Sequence, residues 1–225
     1  MTISRSVILD KIRAAKKDMQ ATTDSDGAHR RILDHNANLI PARGALTKKS
    51  QVSLFINEAV KVDASIARLA TSEQIPDAIA QYLKELNLPA KIKAAPRLKN
   101  LPWSATLLKT DMGIAVESDT VGVTLAFAGV AETGTLVACS GPDTPTTLNF
   151  LPVTNIVVIE ESRIYGSYEE VFQQLRRGRM PADFMPRTVN FITGPSRTAD
   201  IEQTLLLGAH GPQRLHILVV EDELP

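Results

Sequence analysis

The stretch Asn155-Ile156-Val157-Val158-Ile159-Glu160 decides the fold class. Four apolar residues in unbroken succession, bounded by a turn, are what a strand covered on both faces requires. A half-solvated strand would alternate instead. Working outward, Val189–Thr193 and Leu215–Val220 read as two further strands, and Val121–Ala128 and Gly134–Cys139 as an alternating pair. Ala64–Ala70 and Lys91–Ala94 add short candidates.

Between these strands the apolar period changes to that of a helix. Phe55, Ile56, Ala59 and Val60 fit one helix, and Asp77 to Asn87 another with Ser72 as its N-cap. Ser167–Arg177 and Ala199–Leu207 read as two more. Strands alternating with helices predict an α/β sheet, parallel in part.

The first 50 residues behave differently. Ser6–Lys17 has Val7, Ile8, Ile12 and Ala15 at helical spacing, Thr22–Gly27 is a polar break, and His29–Leu39 suits a second helix ended by Pro41 and Gly44. Nothing there makes a core alone. Residues 1–50 therefore read as an N-terminal helical arm, packing on the main body or on another subunit, and 51–225 as the main domain.

Composition narrows the function classes. The 225 residues carry 25 Lys+Arg and 25 Asp+Glu, so no overall field favours nucleic acid or an anionic membrane as partner. The balance is uneven, with 18 basic against 10 acidic residues over 1–110 and 7 against 15 over 111–225. A basic first half is either a solvated face or a surface that docks on an acidic one.

The single Cys139 excludes an internal disulfide, a zinc site of the CxxC type and a conventional iron–sulfur cluster held by this chain alone. No metal site is expected, since His29, His35, His210 and His216 form no ligand spacing. Met1–Asp10 is too polar for a signal-peptide core, and Val121–Ser140 carries Glu132 and alternates, so it reads as strands rather than a membrane span. The expectation is a cytoplasmic protein.

Three segments can carry chemistry. In Gly129-Val130-Ala131-Glu132-Thr133-Gly134-Thr135, the glycines allow a tight turn while Thr133 and Thr135 offer hydroxyls. Its Gly-x4-Gly spacing is not a P-loop, because Thr135 stands where Lys is needed and a strand follows. In Thr193-Gly194-Pro195-Ser196-Arg197-Thr198-Ala199-Asp200-Ile201-Glu202, Ser196 or Thr198 could cap a helix with Asp200 and Glu202 in its first turn. Free N–H groups, two hydroxyls and Arg197 would then form an anion site; the plainer reading is an ordinary capped helix with Arg197 paired to its own acids. In Leu207-Gly208-Ala209-His210-Gly211-Pro212, His210 is either a helix-end cap or an acid–base group.

Taken together in this order, with Leu151-Pro152 and the Asn155–Glu160 strand between them, these segments closely resemble the LUD-domain family and, within it, its lactate-utilization members. The resemblance implies a fold similar to the ribose-5-phosphate isomerase and CoA-transferase class, an open mixed, partly parallel sheet with helices on both faces. It implies an accessory subunit acting with iron–sulfur companion proteins that oxidise L-lactate to pyruvate. The chain itself would hold no cofactor, the clusters residing in the companions. No GxGxxG fingerprint is present, so a self-sufficient oxidoreductase is not expected. A small anionic ligand would sit among Thr133, Gly134, Thr135, Gly194, Ser196, Arg197, Thr198, Asp200, His210 and Gly211. The arm would supply contacts to other subunits or to a second copy. The alternative is an acyl-transfer enzyme, since Glu132-Thr133-Gly134 is similar to the turn in which CoA-transferases hold a nucleophilic Glu.

Overall fold

A computed structural model describes residues 5–20, 27, 30, 33, 34, 36, 37, 40–177, 186–201, 204–221 and 224. The chain forms two compact units, Met1–Leu39 and Ile40–Pro225. In the first, helix α1 (Arg5–Gln20) covers the predicted Ser6–Lys17 and carries an Arg13–Asp10 ion pair one turn apart at 3.0 Å. Most of the second predicted arm helix, including His29 and His35, lies outside the described residues.

The second unit is built on a six-stranded sheet in the order β1 (Ser65–Leu69), β12 (Arg214–Val220), β7 (Thr154–Glu160), β4 (Val121–Leu125), β2 (Lys91–Ala94), β3 (Lys109–Met112). Every neighbouring pair is parallel. All seven residues of β7 are buried, and their alternation explains the unbroken apolar run. Val157 and Ile159 face helix α2 (Lys48–Lys61) through Val52, Phe55 and Ala59. Ile156 and Val158 face helix α3 (Ile75–Glu85) through Ile75, Ile79 and Leu83 on the other side. Each such side chain contributes about 1.5–3 kcal/mol of burial, so β7 and the two helices form the stabilising centre.

A separate mixed sheet follows the order β8 (Ile164–Tyr165), β5 (Ala128–Val130), β6 (Thr135–Cys139), β9 (Val189–Ile192). Helix α4 (Tyr168–Arg176) starts at Ser167, whose hydroxyl accepts the Glu170 N–H. It buries Val171 and Leu175 in one cluster with Ala128, Val130 and Val137. The chain changes sheets in one step. The Ala126 N–H bonds Val158 O at 2.9 Å in the large sheet, and the Phe127 N–H bonds Val137 O at 2.8 Å in the small one.

Four expectations are corrected. One mixed sheet becomes a wholly parallel six-stranded sheet, a four-stranded mixed sheet and a two-stranded one. The single strand read over Val121–Ala128 is divided by that change of sheet, so alternation alone could not locate the break. Thr71, not Ser72, caps the turn before α3, in a reciprocal capping box with Gln74. The helix predicted over Ala199–Leu207 is an antiparallel hairpin of β10 (Arg197–Ile201) and β11 (Thr204–Leu207). The β-branched Thr198, Ile201 and Thr204 favour extended backbone over the helix that Ala199 and the leucines suggest. The edge strand β3 had no sequence signal strong enough to be predicted.

Candidate ligand-binding site

Two loops meet over the amino ends of β7 and β12. One, Thr193–Ser196, joins β9 to β10, and the other, Gly208–Gln213, joins β11 to β12. Ser196 laces them together: its N–H bonds Pro212 O at 2.9 Å, and its own carbonyl accepts the Gly208 N–H at 2.9 Å. The Ser196 hydroxyl accepts the His210 N–H at 3.4 Å. Gly194 turns at φ +81 with Val62 O only 2.3 Å from where a Cβ would stand, so no side chain fits there.

Beneath the loops is a cavity of about 290 Å³. Its exposed polar lining is Thr193, Arg197 and His210 with the half-buried Ser196; Phe150, Phe191 and Leu215 supply apolar wall, and Asn149 and Asn155 are its buried polar residues. The Asn155 amide donates weakly to Asn149 O at 3.5 Å. A backbone carbonyl can only accept, so the nitrogen of that amide and not its oxygen faces it. The side-chain oxygens of Asn149 and Asn155 are buried without a hydrogen-bond partner among the described residues. Buried polar atoms in that condition are rare, because each costs about 1–3 kcal/mol.

Arg197 is partly engaged. One of its amino groups donates to the Val62 carbonyl and lies 3.0 Å from the Asp63 carboxylate, both at the end of α2. The guanidinium has five N–H donors, so this anchoring leaves others for a ligand while fixing the group in place.

The cavity thus gathers Gly194, Ser196, Arg197, His210 and Gly211 from the sequence prediction. Thr133 and Thr135 join it indirectly. Thr135 Oγ1 is 2.7 Å from Thr193 Oγ1 and 2.8 Å from Thr133 Oγ1, and the Tyr168 hydroxyl is 3.1 Å from both Thr133 and Thr135. A hydroxyl chain therefore runs from the β5–β6 turn to the cavity rim. Gly134, at φ +63, serves packing: a Cβ there would lie 2.3 Å from Ala59 N of α2.

Glu132 does not line the cavity. It is 4 % exposed, one oxygen accepting the Tyr168 N–H at 3.5 Å and the other 3.7 Å from Arg43 Nε. Thr198 and Asp200 lie in β10, so the predicted helix N-terminus does not form and supplies no N–H donors. Glu202 is outside the described residues. Sequence reasoning missed Asn149, Asn155, Phe150, Phe191 and Tyr168. Asn155 had a readable signal, as a polar residue opening a wholly apolar strand. Among the described residues no cluster of His, Cys, Asp or Glu could hold a metal, and no helix is long and apolar enough to cross a membrane.

Residues 52–220 match the LUD domain family model. Lactate utilization protein C of Geobacillus sp. (strain WCH70) is 36% identical over 124 residues, covering 53% of this chain and 49% of that protein. Its counterpart in Exiguobacterium sp. (strain ATCC BAA-1283 / AT1b) is 34% identical over 120 residues, covering 53% and 52%. The chain thus spans about half the length of the curated relatives it matches. A crystal structure of a DUF162 family protein from Deinococcus radiodurans superposes with a TM-score of 0.58 at 21% identity, covering 78% of this chain and 99% of that one. That likeness concerns the fold.

Proposed function

Because the chain belongs to the LUD domain family, we propose that it is an accessory subunit of an iron–sulfur lactate-oxidising system, binding a small anionic ligand in the cavity between the Thr193–Arg197 and His210–Pro212 loops. The observation that carries the reading is the pairing of an anchored Arg197 with the Ser196 and His210 groups on one rim, in a chain similar to proteins named for lactate utilization. Arg197 supplies the charge, Ser196 and Thr193 hydroxyls orient the ligand, and the Phe150 and Phe191 walls exclude water.

Electron transfer belongs in this reading to iron–sulfur companion proteins, since one cysteine cannot hold a cluster. The subunit is cytoplasmic in this reading, and the N-terminal arm contributes contact surface to the companions or to a second copy. The two-faced sheet supports kinship with the ribose-5-phosphate isomerase and CoA-transferase class. The acyl-transfer alternative is weaker, because a nucleophilic Glu132 would need an open approach and its carboxylate is buried between the Tyr168 N–H and Arg43.

A thermal-shift and mass-spectrometric screen against L-lactate, pyruvate, CoA esters, nucleotides and sugar phosphates tests the reading. A ligand at 100 times its Kd stabilises the fold by about 2.7 kcal/mol. Stabilisation by a small carboxylate that disappears in Arg197→Ala, together with co-purification of iron–sulfur proteins, supports it. A covalent mass gain on Glu132 from a CoA ester would overturn it in favour of acyl transfer.

A further inference from the structure

The second unit has another crevice at the opposite end of the large sheet, and strand topology predicts where it should lie. β2 and β4 are parallel neighbours whose chains leave in opposite directions: β2 leads outward to the edge strand β3, and β4 leads through the small sheet to β7. In open parallel sheets such a reversal parts the loops beyond the carboxyl ends of the two strands and leaves room for a ligand.

A cavity of about 170 Å³ occupies that position. Arg97 reaches it from the turn after β2, Ala126 and Phe127 from the step after β4, Glu160 and Arg163 from the end of β7, and Cys139 from the end of β6. Two arginines and one glutamate line it. The buried Glu160 is answered from within the protein, by Arg163 Nε at 2.5 Å and the Leu224 N–H at 3.0 Å. That pairing uses Nε and orients the guanidinium, leaving its outer N–H donors for an acceptor. Arg97 is exposed and makes no side-chain hydrogen bond or ion pair among the described residues.

We propose that this crevice is a second binding site, taking a small oxyanion, carboxylate or phosphate, between Arg97 and Arg163. Its volume suits a compact head group and is below the 300–1,000 Å³ of pockets that enclose larger ligands. It shares no lining residue with the Thr193–Arg197 cavity and stands or falls separately from it.

The test is a ¹⁵N NMR titration of the full chain with inorganic phosphate and, in a second arm, acetate, each at ionic strength held constant with NaCl. Saturable shifts of the Arg97, Ala126, Phe127 and Cys139 amides are expected, and the arm that saturates first identifies the oxyanion. Arg97→Ala should weaken that binding at least tenfold. Because Arg97 is exposed, the variant should keep its fold, seen as an otherwise unchanged spectrum. Linear, unsaturated shifts in both arms, or equal binding by wild type and Arg97→Ala, would overturn the proposal.

Discussion

Arg197 lies 3.0 Å from the Asp63 carboxylate, so the cation on the cavity rim is held by an anion that also competes for it. The pair is partly exposed, and such pairs add only about 0–1 kcal/mol to stability. Asp63 sits at φ 64, a conformation Asn tolerates well. Asp63→Asn should therefore fold normally and bind whichever small carboxylate the screen identifies about 2–5-fold more tightly at low salt, from relief of roughly 0.5–1 kcal/mol of competition. Arg197→Ala should weaken binding at least tenfold. Titration calorimetry decides the sign; weaker binding by Asp63→Asn would mean that Asp63 orients the cation rather than competing for it.

Gly134 and Gly113 both have positive φ, but their surroundings differ. A Cβ at Gly134 would meet backbone atoms of Glu58 and Ala59, while at Gly113 nothing lies within 4 Å. Gly113→Ala should cost only the conformational strain, about 1 kcal/mol. Gly134→Ala must also push α2 from the small sheet and should cost about 3 kcal/mol or more, a Tm loss near 6–12 °C. Equal Tm values for the two variants would refute the packing role given to Gly134.

The contrast between β7 and the β10–β11 hairpin shows what the sequence makes legible. β7 is specified by local pattern: four β-branched apolar residues in a row bounded by a turn suit a strand covered twice, and α2 and α3 carry the matching stripes. The hairpin is specified by pairing across sequence, Arg197 with Leu207 and Thr198 with Leu206, which a one-dimensional period does not register. The site was legible where turns announce themselves, at Gly194, Ser196, His210 and Gly211. It was illegible where the main chain brings distant groups together, as with Tyr168 beside Thr135 or Asn149 beneath the rim. The pattern around Arg197 suggests a helix-start clamp, but Arg197 is a strand residue tied to the end of α2, so the same side chain reaches the cavity by a different route.

Thr135 is wholly buried and its hydroxyl contacts three others, those of Thr133, Tyr168 and Thr193. Thr135→Val keeps the shape and removes the bridge, leaving the half-buried Thr133 and Tyr168 hydroxyls one partner fewer at a cost of about 1 kcal/mol. Thr193 is exposed, so water replaces the lost bond there and Thr193→Val alone should cost less than about 1 kcal/mol. The double variant should be no less stable than Thr135→Val, a departure from additivity measurable by urea denaturation. Strict additivity would show that the Thr135–Thr193 contact contributes nothing.

His216 makes the fold sensitive to acid. It stacks on Tyr82 with ring centroids 3.9 Å apart, and its Nδ1 lies 2.8 Å from Ser65 Oγ. Burial on β12 disfavours the imidazolium and pushes its pKa down to about 4, against a smaller opposing pull from Glu85. The unfolded chain, with an ordinary histidine near 6.5, then binds more protons than the folded one between those values. Stability therefore rises with pH across this window: the contribution is fully present above about 6.5 and is lost as pH falls toward 4. The difference amounts to about 3 kcal/mol at most. Urea unfolding at pH 7 and 4.5 should show this loss in wild type and a smaller one in His216→Phe, which keeps the stack and cannot titrate. Glu85→Gln removes the opposing pull, so its loss should extend to lower pH. Parallel pH profiles for wild type and His216→Phe would show that the acid sensitivity arises elsewhere.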